Sequence, residues 1–374
     1  MTTKNFCGIL MPLLLCLLSS CTGKVRQTPH DTERTVELEY AQLLKMRTGD
    51  GYTTVEILNP WDSAAILHRY VLVPKDSKPP RNLPEGDVVY IPLKRAAVYS
   101  SVHCGLADEL GAFAAVRGVC DLQFINLPKV QLGVEQGSIT DLGSSMAPNI
   151  ERIINLQPDA ILLSPFENSG SYGKLGKLHI PIIECADYME TTPLGRAEWM
   201  KLFGLLLGRE READSLFAAI SKRYNRMRRT PSEHPTVVTE MKTGSTWYVA
   251  GGRSYVSTLI RDAGGNYLFK DVASTGSVPQ SPEKVFDMAQ KADVWLIKYG
   301  QPKDMTLTEL GEAWPANRHI KAYRDGEVYG CNLTTSLFYE ATPFHPDILL
   351  EEYISILHPE IHAKKDRKYY HKLK

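Results

Sequence analysis

One helix-to-strand unit occurs twice in this chain, and this repetition restricts the possible folds more than any other feature. In residues 149–163, an apolar helical pattern stops at a Gln-Pro-Asp turn and continues into a short buried-strand pattern. Residues 281–299 repeat the unit with two extra residues in the helix. Strands that alternate with helices in this way indicate parallel sheets. The matched pairs are Asn149 and Ser281, Glu151 and Glu283, and Asp159 and Asp293.

A long uninterrupted helical pattern lies between the two units. Residues 209–230 carry one apolar face, begin with acidic residues and end with basic ones, as the helix dipole favours. Such a helix would be about 30 Å long. We therefore predict an α/β fold of two Rossmann-like lobes with parallel sheets, each with its own core, joined by one long rigid α-helix. The expected lobes are residues 93–208 and 231–360, and a basic tail follows over residues 361–374.

The residues that precede the α/β pattern have a different character. Strand patterns over residues 52–58 and 66–73 are separated by an Asn-Pro-Trp-Asp turn, and a Pro-rich patch follows them. We predict that residues 35–92 form an extra β-rich N-terminal segment that packs on the N-terminal lobe. The sequence indicates no function for this segment.

The N-terminus has the pattern of an export signal. The apolar run over residues 9–18 is too short to span a bilayer. It leads into Leu-Ser-Ser-Cys21, which resembles a bacterial lipobox. This resemblance implies a signal peptide over residues 1–20, lipidation of Cys21, a polar tether over residues 21–34, and a periplasmic protein anchored to a bacterial membrane. The alternative is a plain signal peptide with an incidental cysteine.

Composition and cysteine spacing exclude some classes of function. Lys plus Arg equals Asp plus Glu, at 43 residues each, and no basic stripe indicates a nucleic-acid partner. The cysteines beyond Cys21 are widely and irregularly spaced, which disfavours zinc knuckles. We expect free buried thiols, and a Cys104–Cys185 pair stays open. These cysteines are Cys104, Cys120, Cys185 and Cys331.

Catalytic signatures do not assemble in the chain. The glycines at 170, 173 and 176 precede Lys177 but lack the spacing of a phosphate-binding loop. Neither an H-E-x-x-H helix nor a G-x-S-x-G turn is present. We predict that the protein is not an enzyme, with an exported metal-dependent enzyme as a weaker alternative. We also predict no metal site, because a zinc or manganese carrier would need three or four metal ligands.

Four motifs, in order around the long helix, resemble the periplasmic binding proteins of iron–siderophore and vitamin B12 importers. The resemblance covers residues 94–360. It implies a class III binding protein, monomeric, which holds a small-molecule metal chelate between two lobes and delivers it to the permease and ATPase subunits of an ABC importer. The motifs are Asn149-Ile-Glu-Arg-Ile with Pro158-Asp159, Trp247–Gly252 with Leu259–Asn266, Ser281-Pro-Glu-Lys-Val285, and His345-Pro-Asp with His358-Pro-Glu.

The ligand-binding residues implied by this resemblance lie on loops after the strands, because open α/β sheets bind ligands there. Aromatic side chains with a few cations suit a large, flat or anionic chelate. Trp247 is the strongest candidate, because it lies between a strand end and a Gly-Gly turn; for each candidate, simple packing is the alternative. The candidates are His103, Phe166, Tyr172, Tyr188, Lys242, Trp247, Tyr248, Arg253, Tyr299, Phe338 and Tyr339.

Three ligand classes stay open from the sequence. A ferric siderophore is favoured, and a catecholate would require several cations around its charge. Cobalamin is the alternative and would require mainly aromatic, apolar walls. Haem is third and would require an axial ligand, for which His103 and Tyr299 are the candidates.

The resemblance also implies that one acid on each lobe contacts arginines of the permease. Glu151 occupies this position in the first lobe, where it also offsets the helix dipole. In the second lobe the matching residue is Arg261. Asp262 next to it, or Glu283 as the repeat partner of Glu151, would then supply the acid.

Overall fold

The structure is a computed structural model, and it describes most of the chain. Cys21 and the predicted signal peptide over residues 1–20 lie outside the described part, as does nearly all of the predicted tether. Among the described helices, none is both long and apolar enough to cross a membrane. The described residues are 33–62, 64–167, 172–229, 234–362 and 366–374.

A five-stranded sheet forms the N-terminal segment. Its order follows the chain, and its neighbours are antiparallel except for the last pair, which is parallel. One face buries Val55 and Ile57 in the main core. The Tyr70 hydroxyl donates a hydrogen bond of 2.9 Å to the backbone carbonyl of Ile182, which fixes the sheet to the first lobe. The strands are β1 (Arg34–Val36), β2 (Leu44–Gly49), β3 (Tyr52–Leu58), β4 (Ile66–Pro74) and β5 (Asp87–Ile91).

The first lobe is a parallel sheet with helices around it. Its strand order is β12-β11-β6-β7-β8, and a short β9–β10 hairpin follows the last of these along the chain. Its elements are β6 (Ala96–Val98), α1 (Ser101–Glu109), β7 (Val116–Val119), α2 (Pro128–Glu135), β8 (Thr140–Asp141), β9 (Gly143–Ser144), β10 (Ala147–Pro148), α3 (Ile150–Leu156), β11 (Ala160–Leu163), β12 (Ile182–Glu184), α4 (Pro193–Glu198) and α5 (Met200–Leu207).

Helix α6 (Glu210–Met227) connects the lobes. Its buried side chains recur at helical spacing, from Ala213 through Phe217 and Ile220 to Tyr224, and the opposite side is exposed. Acidic residues occupy the first turn and a basic residue the last, so side-chain charge complements the helix dipole at both ends.

The second lobe repeats the architecture of the first. Its sheet has the order β16-β13-β18-β19-β20 and is parallel except for the last strand, and a separate β14-β15-β17 sheet is antiparallel. The predicted fold class is therefore confirmed. Its elements are β13 (Thr236–Thr239), β14 (Lys242–Thr243), β15 (Thr246–Ala250), α7 (Tyr255–Asp262), β16 (Asn266–Tyr267), β17 (Ser277–Gln280), α8 (Pro282–Ala289), β18 (Val294–Tyr299), α9 (Leu307–Ala313), α10 (Lys321–Arg324), β19 (Val328–Asn332), α11 (Phe338–Ala341), α12 (Pro346–Leu357) and β20 (His371–Lys372).

The repeated sequence unit is also a repeated structural unit. Asn149 and Ser281 each cap the N-terminus of a helix with their side chains. Asp159 and Asp293 each accept a hydrogen bond from the backbone amide at, or just before, the start of the neighbouring strand, at 2.6 and 2.8 Å. Partial burial raises the pKa of both carboxyls, but these hydrogen bonds, together with the ammonium groups of Lys75 and Lys321, more than offset it and leave each pKa below its ordinary value.

The main core is shared between the lobes, while a smaller cluster of described residues around Ile153 and Ile161 belongs to the first lobe alone, so the prediction that each lobe has its own core is wrong for the second lobe. The largest group of buried apolar side chains continues from the N-terminal sheet through both lobes and α6. Helix α1 of the first lobe packs directly on α11 of the second. A Cβ atom on Gly105 would lie 2.1 Å from the carbonyl oxygen of Glu340, so only glycine permits this approach.

The C-terminal residues are part of the second lobe. Residues 361–374 were predicted as a basic tail, but Tyr369 and Tyr370 are buried and β20 extends the sheet. The fully buried carboxylate of Glu352 accepts backbone hydrogen bonds from Lys368, Tyr369 and Tyr370 at 2.5, 3.1 and 3.0 Å. A buried acid, which the sequence pattern does not reveal, therefore holds this segment in place.

Two further buried glutamates hold the N-terminal segment in the same way. The Glu198 carboxylate accepts hydrogen bonds from the three backbone amides of residues 39–41, at 2.7 to 3.0 Å, and forms an ion pair with Lys201. Glu190 accepts hydrogen bonds from the amides of residues 42–43. The backbone amides of the segment thus substitute for the water that these acids lose on burial.

The four cysteines in the described residues are free and buried. This confirms the prediction of free thiols and excludes a Cys104–Cys185 bond. Burial raises the pKa of Cys104 to about 12, so its thiol is not a nucleophile at neutral pH.

A histidine forms a polar contact between the lobes. His345 precedes α12, and its Nε2 lies 2.6 Å from the Glu109 carboxylate at the end of α1. Its Nδ1 faces Asp347 at 3.6 Å, and Asp347 also contacts Arg223 on α6. Burial lowers the pKa of His345, but the two carboxylates outweigh this effect and raise the pKa to about 9.

This contact predicts a stability that depends on pH. Because the pKa of His345 is higher in the folded than in the unfolded protein, protonated His345 stabilises the fold fully below about pH 6.5. This contribution disappears as the pH rises through 9. We expect His345→Gln to remove on the order of 2 kcal/mol at pH 6 and much less at pH 9.5. Urea denaturation at both pH values measures the difference. Replacement of the exposed His319 by Gln is the control, and equal losses at both pH values would contradict the assignment.

Candidate functional site

A cavity of about 370 Å³ opens at the carboxyl ends of the strands of the second lobe. Glu240 follows β13, and Lys298 lies near the end of β18. Three residues of the predicted ligand-binding set line the cavity: Tyr248, Phe338 and Tyr339. Tyr248 and Tyr339 are about half exposed, so their rings are available to a ligand.

Each of the two cations that line this cavity forms an ion pair with a carboxylate. Arg196 of α4 donates through Nε to Asp187 at 3.1 Å, and Lys298 forms an ion pair with Glu240. Burial lowers the pKa of Lys298, but Glu240 outweighs this effect and raises it above the ordinary value. The charges that line the cavity are therefore paired, and five of its sixteen described lining residues are aromatic.

Two smaller cavities, of about 300 and 270 Å³, open at the carboxyl ends of the strands of the first lobe. Both include Tyr99, directly after β6, and Ser164, directly after β11. Met146 borders the first cavity with 77% of its surface exposed, and Phe124 borders the second with 72% exposed.

Phe166 and Tyr172 are the members of the predicted set that line a first-lobe cavity. Phe166 is about half exposed. Tyr172 has a left-handed backbone, with φ of 55°. The structure thus places predicted aromatic residues at the carboxyl ends of both sheets, as expected for a ligand held between two lobes.

Trp247, the strongest sequence candidate, lies in the core. Its side chain has no exposed surface. Its Nε1 donates to the backbone carbonyl of Thr239 at 3.1 Å, and its ring stacks on Trp295. Trp247 and Tyr248 are consecutive in β15, and alternation along the strand directs only Tyr248 to the cavity. The prediction that Trp247 faces the ligand is therefore wrong for this structure.

The two candidates for haem ligation are also buried. Nε2 of His103 on α1 donates to the carboxylate of the buried Asp187 at 2.9 Å, and the His103 ring packs on Phe203. The Tyr299 hydroxyl accepts the backbone amide of Met305 at 3.0 Å. Neither side chain lines a described cavity at the carboxyl ends of the sheets.

Three other predicted residues do not line these cavities. The Tyr188 hydroxyl donates to the backbone carbonyl of Pro165 at 2.5 Å. The Lys242 ammonium lies 5.9 Å from the ring centre of Trp314. Arg253 is exposed between β15 and α7. Neither Lys242 nor Arg253 forms an ion pair with another described residue.

The predicted docking acids differ in accessibility. Glu151 and Glu283 occupy the first turns of α3 and α8, and both are exposed. Asp262 is buried at the end of α7, where it forms an ion pair with Arg228 and accepts the Tyr224 hydroxyl at 2.8 Å. Asp262 is therefore excluded as a docking residue, because its carboxylate holds helix α6.

Sequence reasoning missed the charged and tyrosine residues that complete the second-lobe cavity. Arg196 lies in α4, in a stretch without a recognisable motif. Tyr255 is the first residue of α7, and Tyr353 lies within α12. Aromatic residues in such helical patterns are usually assigned to the core. The positions of Glu240 and Lys298 at strand ends were the available signal.

No group of three or more His, Cys, Asp or Glu side chains in the described part of the chain is placed to hold a metal ion. The arrangement instead offers aromatic surfaces on two lobes with hydrogen-bonding groups between them. Such a site suits capture of a bulky organic molecule or chelate.

Comparison with known proteins agrees with this geometry. A family model described as periplasmic binding protein matches residues 97–333. An uncharacterized lipoprotein of Methanocaldococcus jannaschii is 27% identical, over 96% of this chain and 94% of the relative. A cobalamin-binding protein of Halobacterium salinarum is 26% identical, over 60% of this chain and 59% of the relative.

A solved structure shows the same fold. A periplasmic heme binding protein from Pseudomonas aeruginosa superimposes with a TM-score of 0.59 at 16% identity, over 75% of this chain and 98% of that chain. The family match extends over well over half of the sequence and includes both lobes. The chain therefore belongs to the periplasmic binding protein family, the solute-binding components of ABC-type transporters.

Proposed function

We propose that this protein is the lipid-anchored component of an ABC importer that captures a corrinoid of the cobalamin type between its lobes. The observation that carries the proposal is the combination of exposed aromatic rings with paired charges. Tyr248 and Tyr339 present half-exposed rings on the second lobe, and the two cations beside them are neutralised.

A corrinoid fits these walls better than a strongly anionic chelate. Its flat macrocycle packs on aromatic and aliphatic side chains, and its peripheral amides form hydrogen bonds without net charge. A tricatecholate would require several unpaired cations inside the cavity. The similarity to a cobalamin-binding relative supports the same choice.

A ferric siderophore is the second candidate. Lys242 and Arg253 lie close in sequence to residues that line the second-lobe cavity, and no described carboxylate neutralises them. They would attract an anionic chelate to the rim. The two sequence candidates for an axial ligand of haem, His103 and Tyr299, are both buried in other contacts.

Calorimetric titration of residues 22–374 tests the proposal. The probes are cyanocobalamin, a ferric tricatecholate, a ferric trihydroxamate and haemin. Saturable binding of cyanocobalamin with micromolar or tighter affinity is expected. Binding of a ferric chelate alone would select the second candidate, and silence with all four probes would refute both.

The lipid anchor is tested separately. We expect Cys21→Ser to move the protein from the membrane fraction to the soluble fraction, because a thiol is required for acylation. Fractionation followed by immunoblotting measures the distribution. Cys120→Ser, which alters a buried thiol, is the control. A Cys21→Ser protein that stays with the membrane would show that another feature anchors the chain.

Docking to the permease is tested at Glu151. We expect Glu151→Ala to cut uptake of the ligand by about tenfold and to leave ligand affinity unchanged, because the exposed acid lies outside the described cavities. Glu210→Ala is the matched control, since Glu210 is also an exposed acid in the first turn of a helix. Uptake that falls equally in both variants would assign the effect to the helix dipole.

A further inference from the structure

The largest described cavity, of about 880 Å³, lies between the N-terminal sheet and the edge of the first lobe. Trp61 and Asp62 line it from the loop after β3, His68 from β4 and Asp87 from β5. Glu184, the last residue of edge strand β12, lines the opposite side. Seven of the sixteen described lining residues of this cavity therefore come from a segment that the family match does not include.

The polar floor of this cavity is held in place by buried contacts. Glu184 is only 4% exposed, and its carboxylate accepts the Tyr172 hydroxyl and lies 3.0 Å from Nδ1 of His68. Nε2 of His68 lies 2.9 Å from Asp87, and the ring stacks on Tyr70 at 4.4 Å. The acceptor groups are thus oriented before any ligand arrives.

This cavity adjoins the first-lobe part of the ligand cleft. Phe166 and Tyr172 line both this cavity and the 300 Å³ cavity at the carboxyl ends of β6 and β11. Glu184 is the last residue of β12, so it lies at the carboxyl end of a strand in the same first-lobe sheet. The two cavities are neighbours separated by two aromatic side chains, of which Phe166 is about half exposed.

The chemistry of the walls selects N–H donors. Four of the described lining residues are acids, two are histidines, and none is a lysine or an arginine. His68 contacts two of the four acids, Asp87 and Glu184. Carboxylates accept hydrogen bonds from amide N–H groups, and the Trp61 ring offers an apolar surface for the attached methylenes. The acids are Asp62, Asp87, Glu167 and Glu184.

We propose that the N-terminal sheet adds a second compartment to the ligand site, which receives the amide-bearing side arms of the corrinoid. This inference rests on the proposed function. The compartment makes Trp61 and Asp87 specificity-determining residues. It favours ligands with neutral N–H donors on their periphery and disfavours those with carboxylates there, because the four acids among its described residues outnumber the two histidines.

Calorimetry with cyanocobalamin tests the compartment. We expect Trp61→Ala and Asp87→Ala each to weaken binding by about fivefold or more. Tyr90→Ala and Asp50→Ala, which change an exposed ring and an exposed acid outside the cavity, should stay within about twofold of the unchanged protein. Melting temperatures confirm that each variant is folded.

A second probe isolates the charge preference. Among cyanocobalamin derivatives with one amide converted to carboxylate, at least one should bind the unchanged protein about tenfold more weakly than cyanocobalamin, and Asp87→Ala should narrow that gap. Equal affinities in all variants, with cyanocobalamin still bound, would overturn the compartment and leave the proposed function. Failure of the unchanged protein to bind cyanocobalamin would overturn both.

Discussion

Glu198→Ala is expected to lower the free energy of unfolding by about 3–5 kcal/mol. Glu198 is completely buried in the first lobe, and its carboxylate accepts three backbone hydrogen bonds from residues 39–41. Its removal leaves these amides and the ammonium of Lys201 without their acceptor. Urea denaturation followed by circular dichroism measures the change.

The control for this prediction is Glu212→Ala, which removes an exposed glutamate from α6 and should cost less than about 0.5 kcal/mol. The Glu198→Ala variant should also unfold first at the N-terminal segment that Glu198 holds, before the whole protein unfolds. Limited proteolysis is therefore expected to cut the chain near residues 39–43 first. A loss below about 1 kcal/mol would show that water replaces the carboxylate at little cost.

The double variant Tyr248→Ala with Tyr339→Ala is expected to weaken cyanocobalamin binding by about 100-fold. The two rings lie on β15 and α11, line the same cavity and are about half exposed. Each ring contributes apolar contact area, and loss of both removes two aromatic surfaces of this cavity. Calorimetry measures the affinity, and each single variant should show about a tenfold loss.

Tyr90→Ala is a closely matched control, because Tyr90 has the same exposed fraction as Tyr248, 50%, but lies on the N-terminal sheet. Its affinity should equal that of the unchanged protein. If the double variant bound cyanocobalamin as tightly as Tyr90→Ala, the ligand would occupy another part of the chain. Melting temperatures should hardly change, since exposed rings contribute little to the core.

Much of the fold follows from local pattern. The repeated helix-to-strand unit can be recognised in the sequence because its caps and its Asp residues recur at corresponding positions. In the structure, Asp159 and Asp293 form equivalent backbone hydrogen bonds. Two strands of the N-terminal sheet begin at the predicted residues. The shared core could not be predicted from the sequence, because the contact of α1 with α11 joins segments more than 200 residues apart.

The sequence predicted the candidate site only in part. Tyr248 and Trp247 are adjacent in sequence, and only the sheet geometry decides which of them is buried. His103 and Tyr299 have the residue types of metal ligands, but neighbouring side chains and backbone groups already use their polar atoms. Residue type and position on a loop therefore indicate candidates, and burial selects among them.

The buried glutamates were invisible to pattern analysis for a different reason. Glu190, Glu198 and Glu352 lie in helical or turn segments where an acid is usually exposed. Their partners are backbone amides, which any sequence supplies, and two of them bind a segment about 150 residues away. Only the assembled chain shows that these acids hold the N- and C-terminal segments.

The direct contact of α1 with α11 limits how an importer distinguishes a loaded protein from an empty one. Wide hinge opening would separate Gly105 from the Glu340 backbone and would break the contact of His345 with Glu109. These contacts make a large domain swing energetically costly. The permease would then sense cargo through rearranged side chains and the ligand's own surface at the mouth of the cleft, and the release of cargo would require force applied to both lobes.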